Sequence, residues 1–168
     1  MTNEEMKLKY RKCLDENRPF DLVPLMNDYF ELAPKNPSKE LLAERLRCLF
    51  EELGETAEAA IKGDADGVVD GLCDGIIFAI GILYNLGVDV DKAMTVVMTA
   101  NLNKIRGTKS TRPNSQGYDL VKPENWQAPH HYDNLGKLKE ILGNNQWIMG
   151  FWEFNWWLLK KKLKSYLN

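Results

Sequence analysis

The sequence predicts an all-α protein: a four-helix-bundle-like core with a long basic loop over residues 20–131, a helical appendage at 1–19 and a helical extension at 132–168. Three observations carry this. Apolar residues recur at helical spacing in consecutive segments, capping residues and glycines punctuate those segments, and no alternating strand pattern occurs in the first hundred residues.

Residues 3–16 form a charged, mostly polar helix that Asn17-Arg18-Pro19 would end, because a residue preceding proline is disfavoured in the α region. From Phe20 to Leu32 the residues Leu22, Leu25, Met26, Tyr29 and Phe30 predict the first core helix, with Pro24 tolerable only in its opening turn. Ser38 is the expected N-cap of a long helix to about Lys62, apolar along Leu41, Leu42, Leu46, Leu49, Phe50 and Leu53. Asp64 or Asp66 starts the next helix, which runs through Leu86 to a stop at Gly87. Asp89 or Asp91 caps another, expected to reach about Ile105 and stop at Gly107.

Residues 107–132, rich in Gly, Pro, Ser and Asn, predict a long loop, which with its approach is basic through Lys104, Arg106, Lys109, Arg112 and Lys122. Residues 133–168 predict a helical tail with Trp147, Phe151, Trp152, Phe154, Trp156 and Trp157 ahead of Lys160-Lys161-Lys162-Leu163-Lys164. Two readings stand for it. The favoured one packs the aromatics on the chain's own core or a sister subunit, and the other lays them in a lipid boundary with lysines on the headgroups.

A chain of 168 residues, 44% hydrophobic, suits one domain with appendages. A net charge of -2 provides no global attraction to nucleic acid or acidic membrane, so no stable nucleic-acid binding is expected. Cys13, Cys48 and Cys73 lack CxxC or Cys/His spacing, which argues against a disulfide framework or zinc and for a reducing cytoplasm. Met1-Thr2-Asn3-Glu4-Glu5 does not open a signal peptide, and no continuous apolar run reaches the roughly 18 to 20 residues of a membrane span.

The chemistry concentrates in two acidic clusters on consecutive helices: Glu51-Glu52-Leu53-Gly54-Glu55 with Glu58 a turn later, and Asp70-Gly71-Leu72-Cys73-Asp74. At 3.6 residues per turn, Glu52 and Glu55 share one helix face, and Asp70 and Asp74 share one face of the next. Helices folded back on each other would bring four or five carboxylates together. Like charges about 4 Å apart repel by roughly 4 kcal/mol near a protein surface, so the cluster calls for cations. Hard oxygen ligands suit Mg²⁺ or Mn²⁺, and Mg²⁺ commonly holds phosphates. Against this stands a solvated acidic face, but Asp70 and Asp74 lie in a stretch apolar on nearly every side and expected to be buried.

The order of these features resembles the MazG-like and phosphoribosyl-ATP pyrophosphohydrolase-like group of all-α NTP pyrophosphatases, over roughly residues 24–131. Glu51, Glu52 and Glu55 match the group's EExxE, and Asp74 before Ile76-Ile77-Phe78 takes the Asp of its second signature. Gly71 stands where that signature has Glu, and Asp70 looks like the replacement. Asn101-Leu102-Asn103-Lys104 is similar to the group's Asn-x-x-Lys. Gly117 to Pro123 with Asn125-Trp126 is similar to its closing loop, with Tyr118 where Lys is common.

The resemblance implies a Mg²⁺-dependent enzyme that cleaves the α–β phosphate bond of a nucleoside triphosphate, with Glu52, Glu55, Asp70 and Asp74 as metal ligands and Glu51 orienting or deprotonating the water or serving as a further ligand. Lys104, Lys109, Arg112 and Lys122 are then expected on the phosphates, and Asn101 on sugar or base. Trp126 is open to two readings, stacking on the base or anchoring the loop to the core. A homo-oligomer, dimer or tetramer, is expected, with sites that draw residues from two chains. The alternative function is a non-catalytic, metal-dependent nucleotide sensor whose tail contacts a membrane or partner, and a third option is an inert helical interaction protein.

Overall fold

The computed structural model describes residues 2–16, 19–109, 111 and 119–143. In chain order these form α1 (Asn3–Asp15), α2 (Leu22–Tyr29), α3 (Lys39–Lys62), α4 (Ala65–Asn85), α5 (Val90–Leu102), β1 (Ile105–Gly107), β2 (Asp119–Val121) and α6 (Leu138–Leu142), with a 3₁₀ turn at Pro19–Asp21 before α2. The described residues divide into two compact units, one built from 2–87 and 137–143 and the other from 88–136.

The first unit is organised by the α3–α4 pair, its most extensive helix contact. Ser38 caps α3 by accepting from the Leu41 amide at 3.2 Å. Gly63 ends α3 in the left-handed conformation, φ 73°, and Asp64 at once caps α4 by accepting from the Gly67 amide at 3.0 Å. The chain therefore reverses, and α4 runs back along α3. A Cβ on Gly67 would lie 3.1 Å from Ala59 Cβ, one on Gly71 would overlap the Thr56 hydroxyl, and one on Gly75 would rest against Leu49 and Leu53. Gly71 thus lets α4 approach α3 more closely than a side chain would allow, Gly67 allows a tight contact with Ala59, and Gly75 leaves room for ordinary packing.

Helix α2 packs on the far end of α4. The Asn27 amide occupies the space a side chain at Gly81 would need, and the Tyr84 hydroxyl donates to Asp28 Oδ1 at 2.9 Å. Leu22, Val23, Leu42, Ile82, Leu86 and Ile141 are buried in this unit. Helix α1 lies against α2, with Met6, Tyr10, Leu25, Met26, Tyr29 and Phe30 lining an apolar groove. Helix α2 is shorter than its periodicity predicts. Glu31 adopts φ 53°, and the Leu32 amide donates to the Asn27 carbonyl at 2.8 Å, closing α2 with a left-handed cap usually built on glycine.

One expectation for α4 is overturned. The helix buries Gly71, Gly75, Gly81, Ile82 and Asn85, but Val69, Leu72 and Ile76 are 62%, 50% and 45% exposed, so its first half is not covered on every side. Among the described residues α4 is also the one helix long and apolar enough to cross a membrane by length and composition, with a mean hydropathy of 1.7. Asp66, Asp70 and Asp74 interrupt its apolar runs, which is why counting continuous runs passed over it. Carboxylates are costly within a bilayer, and these sit in a hairpin with α3.

In the second unit Asp89 caps α5 by accepting from the Lys92 amide at 3.0 Å. The helix ends at Leu102, short of the expected Ile105, because Ile105–Gly107 pairs antiparallel with Asp119–Val121 in a two-stranded ladder. Nor is the segment after β2 a bare loop. Trp126 Nε1 donates to the Ala100 carbonyl at 2.7 Å, and Asn134 brackets the Asp89 backbone with bonds of 2.7 and 2.8 Å, so this segment runs back along α5 from its end to its start. Residues 133–137, expected to be helical, are not. The aromatic and basic run from Trp147 to Lys164 lies outside the described residues.

Candidate metal and nucleotide site

The α3–α4 hairpin opens into a groove lined by Glu52, Glu55, Glu58 and Lys62 of α3 and by Asp64, Asp70 and Asp74 at the start of and along α4. The floor is set by sterics. Where Gly71 meets Thr56 the helix backbones lie close, Thr56 Oγ1 donates to the Glu52 carbonyl at 2.7 Å, and the carboxylates on either side project into one space. At position 71 a glutamate's Cβ would overlap the Thr56 hydroxyl, and the acid stands one residue earlier as Asp70.

Six carboxylates therefore share a groove with one ammonium, Lys62, which is 3.7 Å from Glu58. The Glu52 carboxyl is pushed above its ordinary range by desolvation first, and then by the charges of Asp74, Glu55, Glu51 and Asp70. Four predicted ligands, Glu52, Glu55, Asp70 and Asp74, are thus brought together. The donor set, all hard oxygen, fits Mg²⁺ or Mn²⁺. Among the described residues no three or more acidic, His or Cys side chains are placed closely enough to hold a metal ion by themselves. Mg²⁺ does not need such a set, because it keeps several waters and binds through one or two carboxylates plus substrate phosphates.

Other expected site residues are placed differently. Glu51 does not line the groove; Arg47 holds its carboxylate, and Arg47 also bonds Glu44 at 2.6 Å. Lys109 is engaged by the buried Asp119 at 3.0 Å, an ion pair that ties together the two ends of the segment between β1 and β2 rather than presenting a free ammonium. Asn101 Oδ1 accepts from Lys104 Nζ at 2.7 Å. Lys104 and Lys122 both lie over the Trp126 indole, 5.2 and 4.3 Å from its centroid. Arg112 lies outside the described residues, as do Gly117 and Tyr118 of the closing loop. Sequence reasoning passed over Lys62 and Asp64 as groove residues and left Glu58 out of the ligand set, although Glu58 follows Glu55 by three residues and Lys62 follows Glu58 by four, which places them along the same side of α3.

A helical hairpin with carboxylates of both helices along one groove offers hard oxygen ligands for a divalent cation. Residues 21–101 match the family model of phosphoribosyl-ATP pyrophosphohydrolase, and the packed helices of this stretch are consistent with the all-α NTP pyrophosphatase fold. Proteins of that family hydrolyse phosphoanhydride bonds of nucleotides and are typically Mg²⁺-dependent. No curated protein and no solved structure matches the chain.

Proposed function

We propose that this protein hydrolyses (deoxy)nucleoside triphosphates between the α and β phosphates, releasing the monophosphate and pyrophosphate. The observation that supports it is the facing of Glu52 and Glu55 on α3 with Asp70 and Asp74 on α4 in one groove. A bound Mg²⁺ would neutralise phosphate oxygens and stabilise charge in the transition state. In this reading carboxylates from among Glu52, Glu55, Asp70 and Asp74 would hold the ion, water adds to a phosphorus of the α–β bridge, the bridging P–O bond breaks, and the water's proton passes to a groove carboxylate that is free of the ion. Glu51, held by Arg47, supports the ridge beside them. Lys104 and Lys122 supply positive charge to the phosphates.

The exposed stripe of Val69, Leu72 and Ile76 on α4 favours a homo-oligomer, a dimer or tetramer that covers it, with sites completed across chains. Mixing an Asp74→Ala subunit with a Lys104→Ala subunit should then restore activity, and no recovery at any ratio counts against shared sites.

The test of the function is incubation of the purified protein with Mg²⁺ and a panel of (d)NTPs and phosphoribosyl-ATP, with pyrophosphate as the readout. Pyrophosphate from one or more (d)NTPs supports the reading. Tight nucleotide binding without turnover would move the assignment to a sensor, and release from phosphoribosyl-ATP alone would replace the substrate.

A further inference from the structure

Trp126 had two open roles, and its contacts separate them. Its indole N–H is committed to the Ala100 carbonyl in the last turn of α5, and its ring carries two ammonium groups, Lys122 at 4.3 Å and Lys104 at 5.2 Å from the centroid. Lys104 stands two residues beyond α5 and Lys122 one residue beyond β2, so the indole joins two segments that are distant in sequence. A ring face occupied by lysines has little left to offer a base.

The two cations repel each other, and a π face offsets only part of that. Among the described residues neither has a carboxylate partner. One proton of the Lys104 ammonium goes to Asn101 Oδ1 at 2.7 Å, leaving two to donate elsewhere, and Lys122 is exposed with three. The missing element is an anion with charge spread over several oxygens and long enough to reach both ammoniums, which is the chemistry of a diphosphate.

We propose that Trp126 is a positioning residue that builds Lys104 and Lys122 into one two-point site for the pyrophosphate group of the nucleotide or product. The ligand follows from the pyrophosphohydrolase reading, but the site can be tested without turnover. Inorganic pyrophosphate is titrated into the full chain by calorimetry with no divalent cation present. Lys104→Met and Lys122→Met should each weaken binding roughly tenfold, as loss of a charge-assisted contact does, and the double variant should be within about twofold of either, because a two-point grip fails once. Trp126→Leu should match the single lysine variants and abolish the coupling between them, and Trp126→Phe, which keeps a π face, should recover most of the affinity. A purely structural tryptophan would lower stability without touching that coupling.

Effects of the two lysines that multiply independently, or wild-type affinity in Trp126→Leu, would overturn the proposal. A second readout does not depend on that variant folding: the ε-methylene protons of Lys104 and Lys122 should be shifted upfield by the ring and should move together as pyrophosphate is added, and unshifted, independent resonances would overturn it. Coupled binding in a protein that releases no pyrophosphate from any nucleotide would keep the site and remove the hydrolase reading. Turnover without coupled binding would do the reverse.

Discussion

The acidic groove of the first unit and the lysine pair of the second use opposite ways of holding like charges together. In the groove the backbone does it: Gly67 and Gly71 let α4 lie close against α3, and carboxylates on the two helices line one space. In the second unit a side chain does it, with Trp126 gathering Lys104 and Lys122 from the ends of two different elements. A site on helix backbones is held by the fold, whereas one hung on a single ring depends on that ring.

The sharpest break of this contrast is the groove's chemistry. Asp74→Asn should lower pyrophosphate release from the preferred nucleotide by about a hundred- to a thousandfold, the scale of removing a major electrostatic contribution to the transition state, without lowering the metal-free unfolding midpoint, because it relieves repulsion in the groove. An active Asp74→Asn would remove the groove from the reaction.

Next in size is the floor of the groove. Gly71→Glu forces a Cβ onto Thr56 and should cost about 1–3 kcal/mol in urea unfolding. Adding Thr56→Gly should return part of it. No loss in Gly71→Glu would show that the helices are not held close there.

Smaller still is the Lys109–Asp119 pair. Lys109→Met removes the ammonium at 3.0 Å from the buried Asp119 carboxylate, and should destabilise by about 1–2 kcal/mol. The KM should be little changed, unlike the effect of Lys104→Met. A KM effect as large as that of Lys104→Met would place Lys109 on the phosphates after all.

The pH response is subtler. Because the Glu52 carboxyl is raised from 4.5, the folded chain keeps that proton to higher pH than the unfolded chain does. Metal-free stability should therefore fall as pH rises from about the ordinary carboxylate value through the raised one, and saturating Mg²⁺ should flatten or reverse the slope, as seen in thermal unfolding midpoints. Smallest of all, Arg47→Ala removes contacts to Glu44 and Glu51 on an exposed face and should leave the midpoint unchanged within error in the same assay.

What the sequence revealed follows the range of the interactions. Ser38, Gly63, Asp64, Gly87 and Asp89 are local signals, and the helix starts and stops they mark are where they were expected. The EExxE and Asp-x-x-x-Asp spacings are local too, so the groove was legible from one-dimensional pattern. The end of α2 was not, because Glu31 takes a conformation that nothing in its chemistry announces. The three-residue strand at Ile105 was hidden because it exists only through its partner twelve to sixteen residues on. Lys109 and Glu51 carry the right charge for phosphate or water chemistry, yet Asp119 and Arg47 take them, and only the folded chain shows which cation meets which anion. The glycine stripe was a visible signal that went unused: Gly67, Gly71 and Gly75 at intervals of four mark a helix face built for close approach.

The central claim is that carboxylates of α3 and α4 jointly hold a divalent ion. Mn²⁺ added in substoichiometric amounts to isotope-labelled protein tests it directly, through paramagnetic broadening of amide signals. The account predicts broadening centred on Glu52, Glu55, Asp70 and Asp74, lost in Asp74→Asn; broadening confined to one helix, or centred elsewhere in the chain, would contradict it.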